Sequence, residues 1–379
     1  MSGFLRTKLL HLVFNKNNTN TLQQLELGCF HFHSFTVSYL QNSCGFSLEA
    51  AKSLSNSVQF ETPDNPDSVL NFLKHHGFTD THIPRMVRKH PRLLLANAQK
   101  TILPKIEFFH SLGVSSTDIV RIFSTNPALL RRSLKRRIIP CYHYLNSILL
   151  VKEKVIKTFK RSQWNISDPL MDVAPNIALL KECGVPQSSI SLMVSNFPRV
   201  VFCKPTVFTE FVREVKQMGF DPLKSKFVLA IIVLSSLSKL TIESRFEIYE
   251  RWGWSRNDSL SAFKKVPFYM LVSNDKAMKA MDFFVKKMGW PSQTIAKNPN
   301  VLFLSIEKTI IPRCTVAHVL LLKGLIEKDY SIVTLLKSNE KYFLKKFVTK
   351  YQESVPQLLD LYEGKVDLRD LGVDPIGTI

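Results

Sequence analysis

Glycine recurs along this chain at a nearly fixed interval, and that interval restricts the fold more than any other feature. It closes apolar stretches at Gly77, Gly113, Gly184, Gly219, Gly253, Gly289 and Gly324, with gaps of 36, 71, 35, 34, 36 and 35 residues. The gap of 71 is two periods, with Leu149 where the absent glycine would fall. Proline keeps the same beat, following glycine by 14 residues at Pro91, Pro127, Pro198 and Pro267. A repeat of this length is one supersecondary unit that cannot bury its own apolar face, so neighbours must stack into a continuous core.

The content of each unit predicts helices. "ILPKIEFFHSLG" places Ile102, Leu103, Ile106, Phe109 and Leu112 at helical spacing and ends on Gly113 as a C-terminal cap. "SSTDIVRIFSTNP" opens on a hydroxyl N-cap, carries Ile119, Ile122 and Phe123, and must stop before Pro127. An apolar pair after the proline, as in "KHPRLLL", forms a wedge under the next hairpin. Pro104, Pro140 and Pro312 lie 13 residues after the first proline of their units and suit the first turn of the following helix. Two units deviate, with Val233 and Gln163–Trp164 where the proline stop is expected. Another is shortened, since Gly289 to Pro299 is only 10 residues.

The expected architecture is therefore all-α: an α-solenoid of about eight tandem repeats forming a curved superhelix. Residues 58–350 hold the repeats. Residues 1–57 read as a leader outside the fold, because 1–25 contain Arg6, Lys8 and Lys16 but no acid, the pattern of an organelle transit peptide. Leu and Phe alternating with early Arg and Lys favour the mitochondrion, with the chloroplast as the alternative. Residues 351–379 read as an acidic C-terminal tail that faces away from an anion or meets protein partners. The longest apolar run, "FVLAIIVLSSL" at 227–237, is too short for a membrane span and predicts a buried helix. Six scattered cysteines fit neither a zinc site nor a disulfide framework.

Lys and Arg number 51 against 31 Asp and Glu, a formal charge of +20 that points to a polyanionic partner. Many of the cations share positions in the repeat. Arg88, Lys89, Lys264, Lys265 and Lys297 precede the helix-stopping proline; Arg92 and Arg199 follow it; Lys105 and Arg313 follow the second proline. "RRSLKRR" gathers Arg131, Arg132, Lys135, Arg136 and Arg137 between helices. Equivalent positions in a solenoid fall along one edge, so these residues are the candidate nucleic-acid contacts. A lone lysine at a helix end is equally a solvated charge that complements the dipole. Most of the phenylalanines sit on apolar faces and belong to the core, and Trp252, Trp254 and Trp290 flank the glycine turns. No P-loop, nucleophile elbow or zinc-binding motif is present, and no cofactor or metal is implied. His75–His76 lacks further ligands at metal spacing.

The stretches "RKHPRLLL", "STNPALL", "SNFPRVVF", "KKVPFYML" and "AKNPNVLFL" resemble the plant branch of the mitochondrial transcription termination factor (mTERF) family over about residues 60–350. The resemblance implies left-handed helical repeats forming a half-ring with a basic groove that holds nucleic acid. It also implies a non-enzymatic role in organellar transcription, splicing or ribosome assembly. The expectation is a monomeric factor binding double-stranded DNA or structured RNA; a protein-interaction scaffold is the alternative.

Overall fold

The computed structural model describes residues 35–161, 169–327 and 330–371, which are helices joined by short turns with no strand among them. They divide into two compact units. The first holds the described residues up to Pro175 together with Val194–Cys203; the second holds Asn176–Met193 and the described residues from Lys204 onward.

The repeat is built as the glycine and proline rhythm requires. All seven periodic glycines adopt φ between 65° and 85°, a left-handed geometry that side chains resist. In the unit around Gly113, the helix Leu103–Ser111 leads through that turn to the helix Ser116–Thr125. The Ser115 hydroxyl caps the second helix by accepting the Asp118 N–H. Second helices end two residues before each proline, at Lys89, Thr125, Asn196, Lys265 and Lys297. The residue in between has φ from −132° to −144° and positive ψ, since proline bars the α conformation from its predecessor. The wedge then buries Leu93 and Leu94, Leu129 and Leu130, Val200 and Val201, Tyr269 and Met270, or Val301 and Leu302.

The exceptions show which residue does what. Where Val233 replaces proline, the helix Ser225–Ser236 runs straight through and no wedge forms. It is the apolar run, and Phe227, Val228, Ala230, Ile231, Ile232, Val233 and Leu234 are all buried. Among the described residues no single helix is long and apolar enough to cross a membrane. Where glycine is absent, the helix Ile139–Leu149 runs through the expected glycine position and Leu150, not Leu149, takes the left-handed turn at φ 56°. The Gln163–Trp164 deviation lies outside the described residues.

Pro104, Pro140 and Pro312 sit in the first turn of the helices Leu103–Ser111, Ile139–Leu149 and Ile311–Leu322, as expected. The sequence reading did not anticipate that each of these helices continues from a π-turn, at Ala98–Ile102, Leu134–Ile138 and Ile306–Ile310. Those turns open on the capping side chains of Asn97, Ser133 and Ser305. The last π hydrogen bond closes just before the ring, where no N–H is needed, and the wider turn relieves its clash with the preceding carbonyls.

Packing crosses the repeat boundary. Phe109 meets Phe123 of its own unit edge-on at 5.6 Å between centroids and Phe159 of the next at 5.3 Å. Trp254 is buried, stacks on Tyr249 at 4.5 Å and donates to the Ser292 carbonyl at 3.0 Å. The ends are covered as a solenoid needs. Residues 35–57 were expected outside the fold, yet helices occupy 35–42 and Leu48–Ser55. Thr36 bonds the Phe60 backbone, and the Tyr39 hydroxyl lies 2.5 Å from the Asp67 carboxylate. At the other end, the helix Leu358–Tyr362 packs on Ile311–Leu322 and buries Leu358 and Leu361, so the expected tail belongs to the fold as far as residue 371. The remaining leader, residues 1–34, lies outside the described residues.

Candidate nucleic-acid interface

In the first unit, the stretch "RRSLKRR" is the junction between wedge and next helix. Arg131 ends the short helix Ala128–Arg131, Ser133 caps the following π-turn by accepting the Arg136 N–H, and Lys135, Arg136 and Arg137 lie within that turn. Its neighbour one repeat back is the segment Lys89–His90. Burial lowers the His90 pKa from 6.5, and Arg131, Lys89 and Arg132 lower it further. The Arg132 guanidinium is likewise pushed down by burial and then by Arg137 and Arg131. Four cations and a neutral-leaning imidazole thus share one place, and no carboxylate contributes to either shift. Among the described residues Arg131, Lys135 and Arg136 form no ion pair, while acids elsewhere are engaged, as in Lys160–Asp118 at 2.5 Å. Such concentrated like charge is a site of strong positive potential.

Other candidates have internal duties. Lys105 is buried and its ammonium bonds the Thr101 carbonyl of its own helix. Arg313 is buried and gives Nη1 to the carbonyls of Leu335, Leu336 and Ser338 at 3.2, 3.1 and 2.8 Å, with its guanidinium over the Phe343 ring. It thereby caps the C-terminus of the helix Ile332–Lys337, where a cation complements the dipole. Neither side chain faces outward. Lys89 is exposed and donates to the Thr125 carbonyl at 3.0 Å, the last residue of the next second helix. Lys265 does the same to the Lys297 carbonyl, and Arg161, outside the candidate set, bonds the Asn196 carbonyl at 3.2 Å. Arg92 reaches back to the Ser57 carbonyl at 3.2 Å, and Arg88 lies 5.5 Å from the Phe46 ring centre. Lys264 is half-buried against Gly219; Arg199 and Lys297 are exposed.

A periodic set escaped the sequence reading. The motif of Asn or Ser followed three residues later by a cation occurs as "NAQK", "SLKR", "SNDK" and "SIEK", starting at 97, 133, 273 and 305. In each, the cap side chain accepts the backbone N–H of Lys100, Arg136, Lys276 or Lys308. A cation in the first helical turn opposes the dipole, so helix stability does not account for the pattern. Lys276 also bonds the Phe303 carbonyl at 2.7 Å, whereas Lys100 is exposed with its ammonium free of acid partners among the described residues.

The mTERF family model matches residues 70–235 and 226–344, together well over half of the chain. A curated relative, "Transcription termination factor MTERF15, mitochondrial" of Arabidopsis thaliana, is 24% identical over 182 residues, covering 44% of this chain and 41% of that protein. The chain therefore spans about two fifths of the length of the relative it matches. The proline-stopped hairpins, the wedges and their 35-residue beat are the features on which the family match falls, and the chain belongs to the mTERF family.

Proposed function

We propose that this protein is an organellar nucleic-acid-binding factor that regulates organelle gene expression by holding double-stranded DNA or structured RNA against its basic edge. The carrying observation is the cluster of Lys89, His90, Arg131, Arg132 and Arg137, whose cations lower the pKa of His90 and of Arg132, flanked by exposed Lys135 and Arg136. Phosphate contacts of this kind fix position and supply affinity without reading sequence. The relative's name, which gives transcription termination and the mitochondrion, supports the process and the compartment, as does the basic, acid-free stretch 1–25. The role is binding, with no chemical step. Lys105 and Arg313 leave the set of contacts, and Lys100 joins it.

The test is binding of the full chain to duplex DNA, single-stranded DNA and an RNA hairpin at physiological salt. The comparison carries Arg131, Arg132, Lys135, Arg136 and Arg137 changed to Ala. Tight binding to one polymer that weakens in the variant supports the proposal and identifies the polymer. Equal weak binding to all three by both proteins overturns it in favour of a protein-interaction scaffold.

A further inference from the structure

A second concentration of positive charge lies in the first unit, on residues other than those of the cluster at 131–137. Between the helix His82–Lys89 and the helix Ser116–Thr125 is a cleft of about 550 Å³. It is lined by His76, His82, Arg85, Thr117, Arg121 and Ser124 among others, and no carboxylate is in its wall. Arg85 and Arg121 occupy equivalent positions 36 residues apart, both exposed, and neither forms an ion pair or side-chain hydrogen bond among the described residues. The nearby acids are already engaged: Asp118 with Lys160 at 2.5 Å, Asp80 with Lys74 at 3.1 Å.

The imidazoles add one fixed donor. The His82 Nδ1 accepts the Thr79 N–H at 3.3 Å, which leaves the proton of the neutral ring on Nε2. The His76 Nδ1 lies 2.8 Å from the Phe72 carbonyl and must donate to it, so its Nε2 gains a proton only on ionisation. Two guanidiniums, an obligatory N–H donor and hydroxyls around an acid-free recess match the needs of a phosphate group. Val120 is the apolar residue of the lining, which is otherwise polar, basic or glycine.

We infer that this cleft is a phosphate-binding site, distinct from the cluster at 131–137, with Arg85 and Arg121 as its principal ligands. The phosphate belongs either to a small phosphorylated ligand or to the backbone of a bound polymer; the chemistry is the same and the test separates them.

The full chain is titrated with inorganic pyrophosphate by calorimetry at fixed ionic strength, as wild type, Arg85→Gln/Arg121→Gln and Thr117→Glu. Both arginines are exposed, and a glutamate in the first turn favours its helix, so each variant should keep its helical signal and thermal midpoint. Loss of two charge-assisted contacts predicts at least about tenfold weaker binding in the double variant, and Thr117→Glu should weaken it also by repulsion. Adding Arg85→Gln/Arg121→Gln to the five-alanine variant at 131–137 should weaken its pyrophosphate binding by the same factor as in wild type, which keeps this site's outcome separate from that of the polymer interface. Reduced duplex binding by the double variant assigns the cleft to a polymer phosphate; unchanged duplex binding assigns it to a small ligand. No measurable heat with wild type, or equal binding by wild type and the double variant, overturns the inference.

Discussion

Leu150 occupies a place the repeat reserves for glycine, at φ 56° and 76% exposed. A side chain in the left-handed region costs roughly 1–2 kcal/mol, and so exposed a leucine recovers little of that by burial. Leu150→Gly should therefore raise the unfolding midpoint, reduced somewhat by the added freedom of the unfolded chain. His90 makes a different prediction. Its folded pKa is lowered from 6.5 by burial and by Arg131, Lys89 and Arg132, so the unfolded chain takes up its proton more readily. That contribution to stability is intact above about pH 6.5 and declines as the pH falls through the unfolded value. Phosphates laid over the cluster would reverse the repulsion, so polyanion binding should take up a proton and tighten on acidification. The affinity ratio between acid and neutral pH, compared in wild type and His90→Gln, checks this; identical ratios would remove His90 from the interface.

At the scale of elements, the proline stops were legible in the sequence because they depend on local sterics. Pro91, Pro127, Pro198, Pro267 and Pro299 each end a helix two residues earlier, and Val233, which lacks the constraint, does not. The π-turns before Pro104, Pro140 and Pro312 were not legible, since the ring suits a first turn as well as a position one turn further in. Links between elements were hidden for another reason. Lys89, Arg161 and Lys265 donate to carbonyls at the end of the next second helix, and every residue offers a carbonyl, so nothing in the sequence marks the acceptor. Arg313 is the buried form of that link. Removing its side chain leaves the carbonyls of Leu335 and Leu336 unsatisfied, a loss of about 1–3 kcal/mol. Arg313→Met should lower the unfolding free energy from denaturant titration by that amount, whereas the exposed Lys89→Met should cost under about 1 kcal/mol. Equal effects would contradict the assignment of Arg313 to a structural cap.

For the whole molecule, the beat of glycine and proline made the repeat class readable, while the ends were misjudged because capping segments need not obey the period. Residues 35–57 carry no such beat but bury Val37, Leu40, Phe46 and Ala51 against the first repeat's side of the core. The net charge of +20 was informative only in part. Some cations hold repeats together, two are buried, and five of the others are gathered at 131–137. The measurement that tests this division most directly is the slope of log binding constant against log salt for the preferred polymer, in wild type and the five-alanine variant. If those five residues neutralise phosphates, the slope on duplex DNA should become shallower by up to about 0.9 for each cation removed. An unchanged slope would place the polymer elsewhere on the molecule and contradict the account.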